Sequence, residues 1–384
     1  MPRVIVASGF VAQYPNAGGV FSVVLQYLLG LRRLGCSVCW LELLWPQGPS
    51  DRALIRTFAE RVADFGLERD FCLVYFPQGK WPEAGAMREW HGWSEERFSQ
   101  FAHSADVSLD LCASVRVPDL LAEVRQRLLL DLDAGFMQLW MNQWDMGQRH
   151  YDQFFTVGQN IGQPDCPVPT GDRRWQTFWP PVVMDLWGER AGNVEAPFST
   201  VSQWWGYPPT HYDGEVYDGS KRVEFLRFVD LPALSGHRFQ VALNLHPVDD
   251  AADKQLLLEK GWQVHEAHQV ADDFLSYRQY LHDSCGEFSV AKPGYIKSRS
   301  GWVSDRSVCY LAAGRPVLVQ ETGVSAYLPT GRGILTFSSL EQAVAGVEEI
   351  RRNYRLHSQA AREIAQEYFA AEKVLGKLLQ AAGL

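Results

Sequence analysis

At 384 residues, with 46% hydrophobic and 21% charged side chains, the chain has the balance of a folded protein and is neither disordered nor collagen-like. At roughly 100–200 residues per domain, its length argues for two or three domains. Lys and Arg total 36 against 45 Asp and Glu, a formal charge of −9 with no basic block, so nucleic acid is not expected as a partner.

The first strand is expected at Val4–Ser8, with no basic stretch or cleavage site before it, and a cytoplasmic location is expected. The longest apolar run, Gly19–Leu31, is short of the ~20 residues that span hydrocarbon. Helical periodicity covers Val20–Leu34, and Ser37–Leu44 reads as the next strand. Arg52–Phe65 and Pro118–Arg127 read as helices. Strands are expected at Phe71–Phe76, Val107–Cys112, Leu128–Leu132 and Gln153–Val157, with a Trp- and Gly-rich insertion near Trp81–Trp93. From Gly158 to Pro209 eight prolines punctuate the chain, which marks a domain junction.

Alternation then resumes. Strands are expected at Phe198–Ser202, Phe239–Leu245, Trp262–His265, Glu287–Ala291 and Pro316–Gln320, and helices at Lys221–Phe228, Ala252–Lys260, Ala271–Ser284 and Ser304–Ala313. Leu340–Ile350 and His357–Leu384 form a helical tail. This β-α alternation implies mostly parallel sheets covered by helices. The seven Cys suit reduced thiols. Cys36 and Cys39 run into a strand, where residues three apart face opposite ways, which argues against metal or redox use.

Three regions carry residues that could take part in chemistry. The loop Ser8–Gly19 joins a strand to a helix through the paired Gly18 and Gly19, which suits an approaching anion or sugar as well as a simple turn. The segment Gly301–Gly323 feeds a helix capped by Ser304 or Asp305, with Lys292, Lys297, Arg299 and Arg306 close in sequence, an arrangement suited to a diphosphate. Glu321, Thr322 and Gly323 follow the next strand, where a sugar could be gripped. Asp131-Leu-Asp133 has a spacing that places two carboxylates on one strand face, which could hold a divalent cation; Asp133 alone, near the strand end, could take a proton from a hydroxyl. His246 ends a strand on the cleft side, and His265 and His268 do not have zinc-ligand spacing.

The run Gly301 through Ala312-Ala-Gly-Arg-Pro-Val317 to Thr322-Gly323, then Leu328-Pro-Thr-Gly-Arg-Gly-Ile334 and Tyr368-Phe369, resembles the nucleotide-sugar half of GT-B glycosyltransferases. Phe155-Thr-Val-Gly-Gln-Asn-Ile-Gly162, Lys292-Pro-Gly-Tyr295 and Ser300-Gly-Trp302 resemble a narrower group of bacterial glycosyltransferase-like proteins. The resemblance implies an α/β fold of two Rossmann-like domains facing across a cleft. The N-terminal, acceptor-binding domain would span 1–185, the nucleotide-sugar domain 186–365, and a last helix at 366–384 would cross back. Two glutamates eight positions apart, usual in retaining members, are replaced here by Gly301 and Cys309, with Asp305 as the substitute carboxylate.

The expected function is transfer of a sugar from a nucleotide diphosphate sugar, most simply a UDP-sugar, to a hydroxyl of a glycan, lipid or small molecule. No metal or other cofactor is expected, and the sole membrane contact foreseen is peripheral, through a lipid-linked acceptor. Lys292, Gly301, Ser304, Asp305 and Arg306 would hold the diphosphate; Glu321, Thr322 and Gly323 the donor sugar. Gly18, Gly19 and His246 would line the acceptor side, with Asp133 as the catalytic carboxylate. The alternatives are a nucleotide-sugar 2-epimerase and a non-catalytic sugar-nucleotide-binding module on the same fold.

Overall fold

The computed structural model describes residues 1–78, 87–115, 118–188 and 190–384. The expected Trp81–Trp93 insertion falls partly outside these; its described end forms a short strand, Glu89–Gly92. Two sheets organise the chain. The first contains β1 (Arg3–Ser8), β2 (Ser37–Leu44), β3 (Phe71–Tyr75), β4 (Glu89–Gly92), β5 (Val107–Leu111), β6 (Arg127–Asp131), β7 (Gln153–Thr156) and β8 (Trp175–Thr177). Their order is β4-β3-β2-β1-β5-β6-β7-β8, parallel except for the edge strand β4.

The second sheet contains β9 (Phe198–Ser202), then β12 (Phe239–Leu243), β13 (Trp262–Glu266), β14 (Gly286–Ser289), β15 (Val317–Gln320) and β16 (Ile334–Phe337). A separate hairpin, β10 (Tyr207–Tyr212) and β11 (Glu215–Gly219), is inserted after β9. The sheet order is β13-β12-β9-β14-β15-β16, all parallel. Both sheets reverse their strand order beside their first strand, between β1 and β5 and between β9 and β14. Such reversal points leave a crevice beyond the carboxyl ends of the strands, where open α/β sheets bind ligands.

These strands form because their apolar residues run almost unbroken, as burial on both faces requires. Val4, Ile5, Val6 and Ala7 are wholly buried, as are Trp40, Leu41, Leu43 and Leu44. The helix expected over Pro118–Arg127 ends at Leu121, and Arg127 belongs instead to β6, opposite Ser108.

After helices Leu340–Arg352 and Tyr354–Ile364, a π-helical turn at Ala365–Phe369 leads into helix Ala371–Ala381. That last helix lies against Gly18–Arg33 of the first domain, where a Cβ on Gly30 would meet Leu375 Cδ1 at 2.6 Å and Ala371 Cβ at 2.7 Å. The crossing is pinned by a short backbone pairing: Val182 donates to Phe369 at 2.7 Å and Ala371 donates to Val182 at 2.9 Å. The two sheets part in the connection between β8 and β9. No helix among the described residues is long and apolar enough to cross a membrane, and all seven Cys are unpaired.

Candidate functional site

Beyond the carboxyl ends of β14 and β15 lies a small pocket, lined by Ser289, Ala291, Trp302, Ser304, Ser307 and Gln320 among others. Its floor is the start of helix Asp305–Ala312. Ser304 is the cap: its Oγ accepts the Arg306 amide at 3.3 Å. Ser307 Oγ is buried without a partner, a hydroxyl left over for a ligand at the positive end of the helix.

Beside this pocket stands Lys221, which the sequence analysis did not single out as a ligand. It follows the β10–β11 hairpin at the cap of helix Arg222–Arg227 and is 9% exposed. Its ammonium lies 5.7 Å from the centroid of the Trp302 ring, and no described side chain pairs with it. Burial lowers its pKa well below the usual lysine range, and Arg306 and Lys292 lower it further. Glu287 and Asp305 act on it in the opposite sense, although neither forms an ion pair with it, and its sequence signal is a lone lysine after Gly219-Ser220.

Trp302 also borders a second cavity, between the domains. Ser22 and Tyr27 of helix Gly18–Arg33 line it from one side, Asp305 and Cys309 from the other. The Asp305 side chain is exposed to the cavity. Partial desolvation by the cavity walls raises its pKa, opposed by Arg306 and Lys221. Tyr27 carries a buried hydroxyl with no partner on the facing wall.

The predicted Asp133 and Lys292 meet each other. Lys292 Nζ lies 2.7 Å from Asp133 Oδ1 across the domain boundary, and both side chains are largely buried. Tyr295 donates to the same oxygen at 2.6 Å, and Tyr207 of β10 donates to Oδ2 at 2.7 Å. Burial works to raise the Asp133 pKa, but Lys292 and these hydrogen bonds outweigh it and the net shift is downward. As it stands, this carboxylate is a clasp between domains rather than a base. The hairpin reinforces the clasp, with Trp140 Nε1 donating to Thr210 Oγ1 at 3.1 Å.

Asp131 does not share a face with Asp133, because β6 ends at Asp131. It turns into its own domain, where Thr156 and Gln138 donate to Oδ2 at 2.7 and 2.8 Å and the Asp133 amide donates to Oδ1. The pair is therefore not a joint cation site.

Other expectations require correction. Arg306 is held by its own sheet: Nε to Glu287 at 2.6 Å, with its terminal nitrogens on Ser289 Oγ and the Val201 carbonyl. The Gly301 amide, expected to face a phosphate, donates to the Thr322 carbonyl at 2.8 Å. Glu321, Thr322 and Gly323 brace that loop. Glu321 Oε1 accepts the Gly323 amide at 2.6 Å, and Thr322 Oγ1 donates to the Trp302 carbonyl at 2.7 Å.

The Gly18 amide is taken by the Ala271 carbonyl at 2.9 Å, and Gly19 packs on the Tyr277 ring, so the paired glycines serve close approach of the domains. His246 sits in an exposed turn, accepting the Asp249 amide on Nδ1, and lines neither cavity. Ser304, Asp305 and Lys292 remain around the cleft, joined by Lys221, Ser307 and Trp302.

No family model matches the chain, and no curated protein sequence matches it. Solved structures do. An alpha-glucosyltransferase in complex with UDP is similar over 100% of both chains, with 10% identity and a TM-score of 0.63. The same enzyme has been solved with UDP and a 13-mer DNA. The Anabaena HepE protein in complex with UDP and glucose is similar over 100% of both chains, with 11% identity and a TM-score of 0.59. Sucrose-phosphate synthase from Thermosynechococcus elongatus is similar over 99% of both chains, with 12% identity and a TM-score of 0.54. The chain therefore has the α/β GT-B fold of these proteins, two Rossmann-like domains across a cleft.

Proposed function

We propose that the protein is a glycosyltransferase that moves a sugar from a nucleotide diphosphate sugar, most simply a UDP-sugar, to a hydroxyl acceptor. The observation that carries this reading is Lys221: a nearly buried ammonium with no ion-pair partner among the described residues, set over the Trp302 ring that lines the same pocket as the orphaned Ser307 hydroxyl. An anion bound there would favour the charged form of Lys221 against burial and the neighbouring Arg306 and Lys292, and the adjoining helix start favours an anion too. UDP in the structural neighbours supports the choice of nucleotide.

In this reading Lys221, Ser307 and the start of helix Asp305–Ala312 hold the diphosphate and stabilise the charge that grows on it as the glycosidic bond breaks. The sugar would extend past Trp302 into the larger cavity, within reach of Asp305. Water exclusion follows from closure of the domains over that cavity. The N-terminal domain presents the acceptor.

Nothing favours the epimerase or the non-catalytic module over transfer. A neighbour holding DNA removes the fold as an argument against a nucleic-acid acceptor, so that exclusion rests on the charge of −9 alone. We place the protein in the cytoplasm, where sugar nucleotides are available, and read the transfer as independent of metal. The test is incubation of the full chain with UDP-glucose and a panel of hydroxyl acceptors, with and without a chelator. Transfer that survives chelation is expected; turnover of the donor to an epimer without any acceptor would contradict it.

A further inference from the structure

The Asp133–Lys292 clasp joins two groups that a transfer reaction could each use, yet it leaves both engaged. Asp133 would not be stranded without Lys292, because Tyr295 and Tyr207 would still donate to its two oxygens. Lys292 in turn directly follows Ala291, which lines the pocket together with Ser304 and Ser307. Its ammonium lies 4.1 Å from the Tyr207 ring centroid and 5.1 Å from that of Tyr295, and the Tyr295 ring is 4.4 Å from that of Trp302 at the pocket wall. Lys221 lies 5.7 Å from the centroid of the same Trp302 ring, so one close ring pair links the two ammonium groups. An anion arriving at Lys221 therefore attracts Lys292 as well. A diphosphate carries two or more negative charges against the single charge of Asp133, and it bonds ammonium groups strongly.

We propose that nucleotide binding draws Lys292 off Asp133 and onto the diphosphate, so that the donor's arrival frees the Asp133 carboxylate to take a hydrogen bond from the acceptor hydroxyl. This rests on the reading of the pocket as a diphosphate site. Binding is then ordered, donor before acceptor, and Asp133 competes with the nucleotide for Lys292. Apparent affinity is reduced by the fraction of time for which Lys292 is free.

Competition predicts an unusual direction of effect. Calorimetric titration of the full-length protein with UDP, and with UMP as the ligand lacking the second phosphate, compares wild type, Asp133→Asn, Lys292→Met and the double variant. Asp133→Asn is expected to tighten UDP roughly three- to thirtyfold and leave UMP unchanged, because Lys292 no longer has a rival anion. Lys292→Met weakens UDP, and in the double variant the tightening disappears. Tyr207→Phe serves as a milder second variant: with one neutral donor removed, Asp133 holds Lys292 harder and UDP weakens roughly two- to fivefold. If Asp133→Asn leaves UDP binding unchanged or weakens it, as loss of a mere clasp would, the exchange is wrong while the diphosphate site stands. If wild-type protein binds no UDP, the diphosphate reading fails and the exchange fails with it.

Discussion

Gly18, at the start of an N-terminal-domain helix, packs so tightly on the Asp273 backbone of the second domain that a Cβ there would lie 1.9 Å from the carbonyl oxygen. The contact makes glycine obligatory for closure at this seam. Gly18→Ala is expected to destabilise the protein by about 1–3 kcal/mol and to widen the particle in solution scattering. Gly376→Ala, in a helix where an added Cβ meets nothing within 4 Å, is the control and should gain up to about 1 kcal/mol. Urea unfolding midpoints check both.

Arg306 and Glu287 form an ion pair inside the second domain, with Arg306 9% exposed and Glu287 fully buried. Breaking such a pair leaves an uncompensated charge. Arg306→Met should cost about 3–5 kcal/mol, and adding Glu287→Leu should recover much of that loss. Equilibrium unfolding of the two variants is the measurement. A phosphate ligand would show the reverse, lost nucleotide binding with stability intact.

Glu42, at the end of β2, tethers the first βα loop, its Oε1 accepting the Val11 and Ala12 amides at 2.7 and 2.8 Å. Burial pushes its pKa up to about 7, against the bonds from Ser8, Ala12, Val11 and Trp40 that lower it. A carboxyl raised on folding holds its proton in the native state over the interval where the unfolded chain has lost it. Its contribution is fully present below the ordinary glutamate range and is lost as pH rises through about 7. The loss amounts to about 3 kcal/mol at most. Stability against pH should therefore fall more steeply between pH 5 and 8 in wild type than in Glu42→Gln.

Asp305 faces the interdomain cavity across from Tyr27. If it grips the sugar, Asp305→Asn should lower kcat/KM for transfer roughly ten- to a hundredfold while UDP affinity stays nearly constant. Steady-state kinetics and UDP calorimetry on the same preparation separate the two effects.

Much of the fold is written in runs of apolar residues. Ser37–Leu44 and Phe198–Ser202 have the same bounds in sequence and structure because parallel strands buried on both faces leave little ambiguity. The β10–β11 hairpin escaped notice because Pro208 and Pro209 read as loop, although an isolated ribbon tolerates them. At the site, sequence singles out residue types without their partners. Asp133 and Lys292 are each conspicuous, but their contact spans 159 positions and depends on domain packing. In the sequence Arg306 looks like a free cation because its partner Glu287 lies 19 positions earlier, on β14. Lys221 is inconspicuous for the opposite reason: its meaning comes from burial without a partner, which no local motif encodes.

Calorimetric titration of wild-type protein and Lys221→Met with UDP tests the assignment of the diphosphate site most directly. The account predicts saturable binding to wild type, weakened roughly ten- to a hundredfold in Lys221→Met by loss of a charge-assisted contact. The variant's melting temperature should not fall, since the substitution removes a buried, unpaired cation. Equal UDP affinity in the two proteins, or no binding to wild type of UDP, GDP, TDP or ADP, would contradict it.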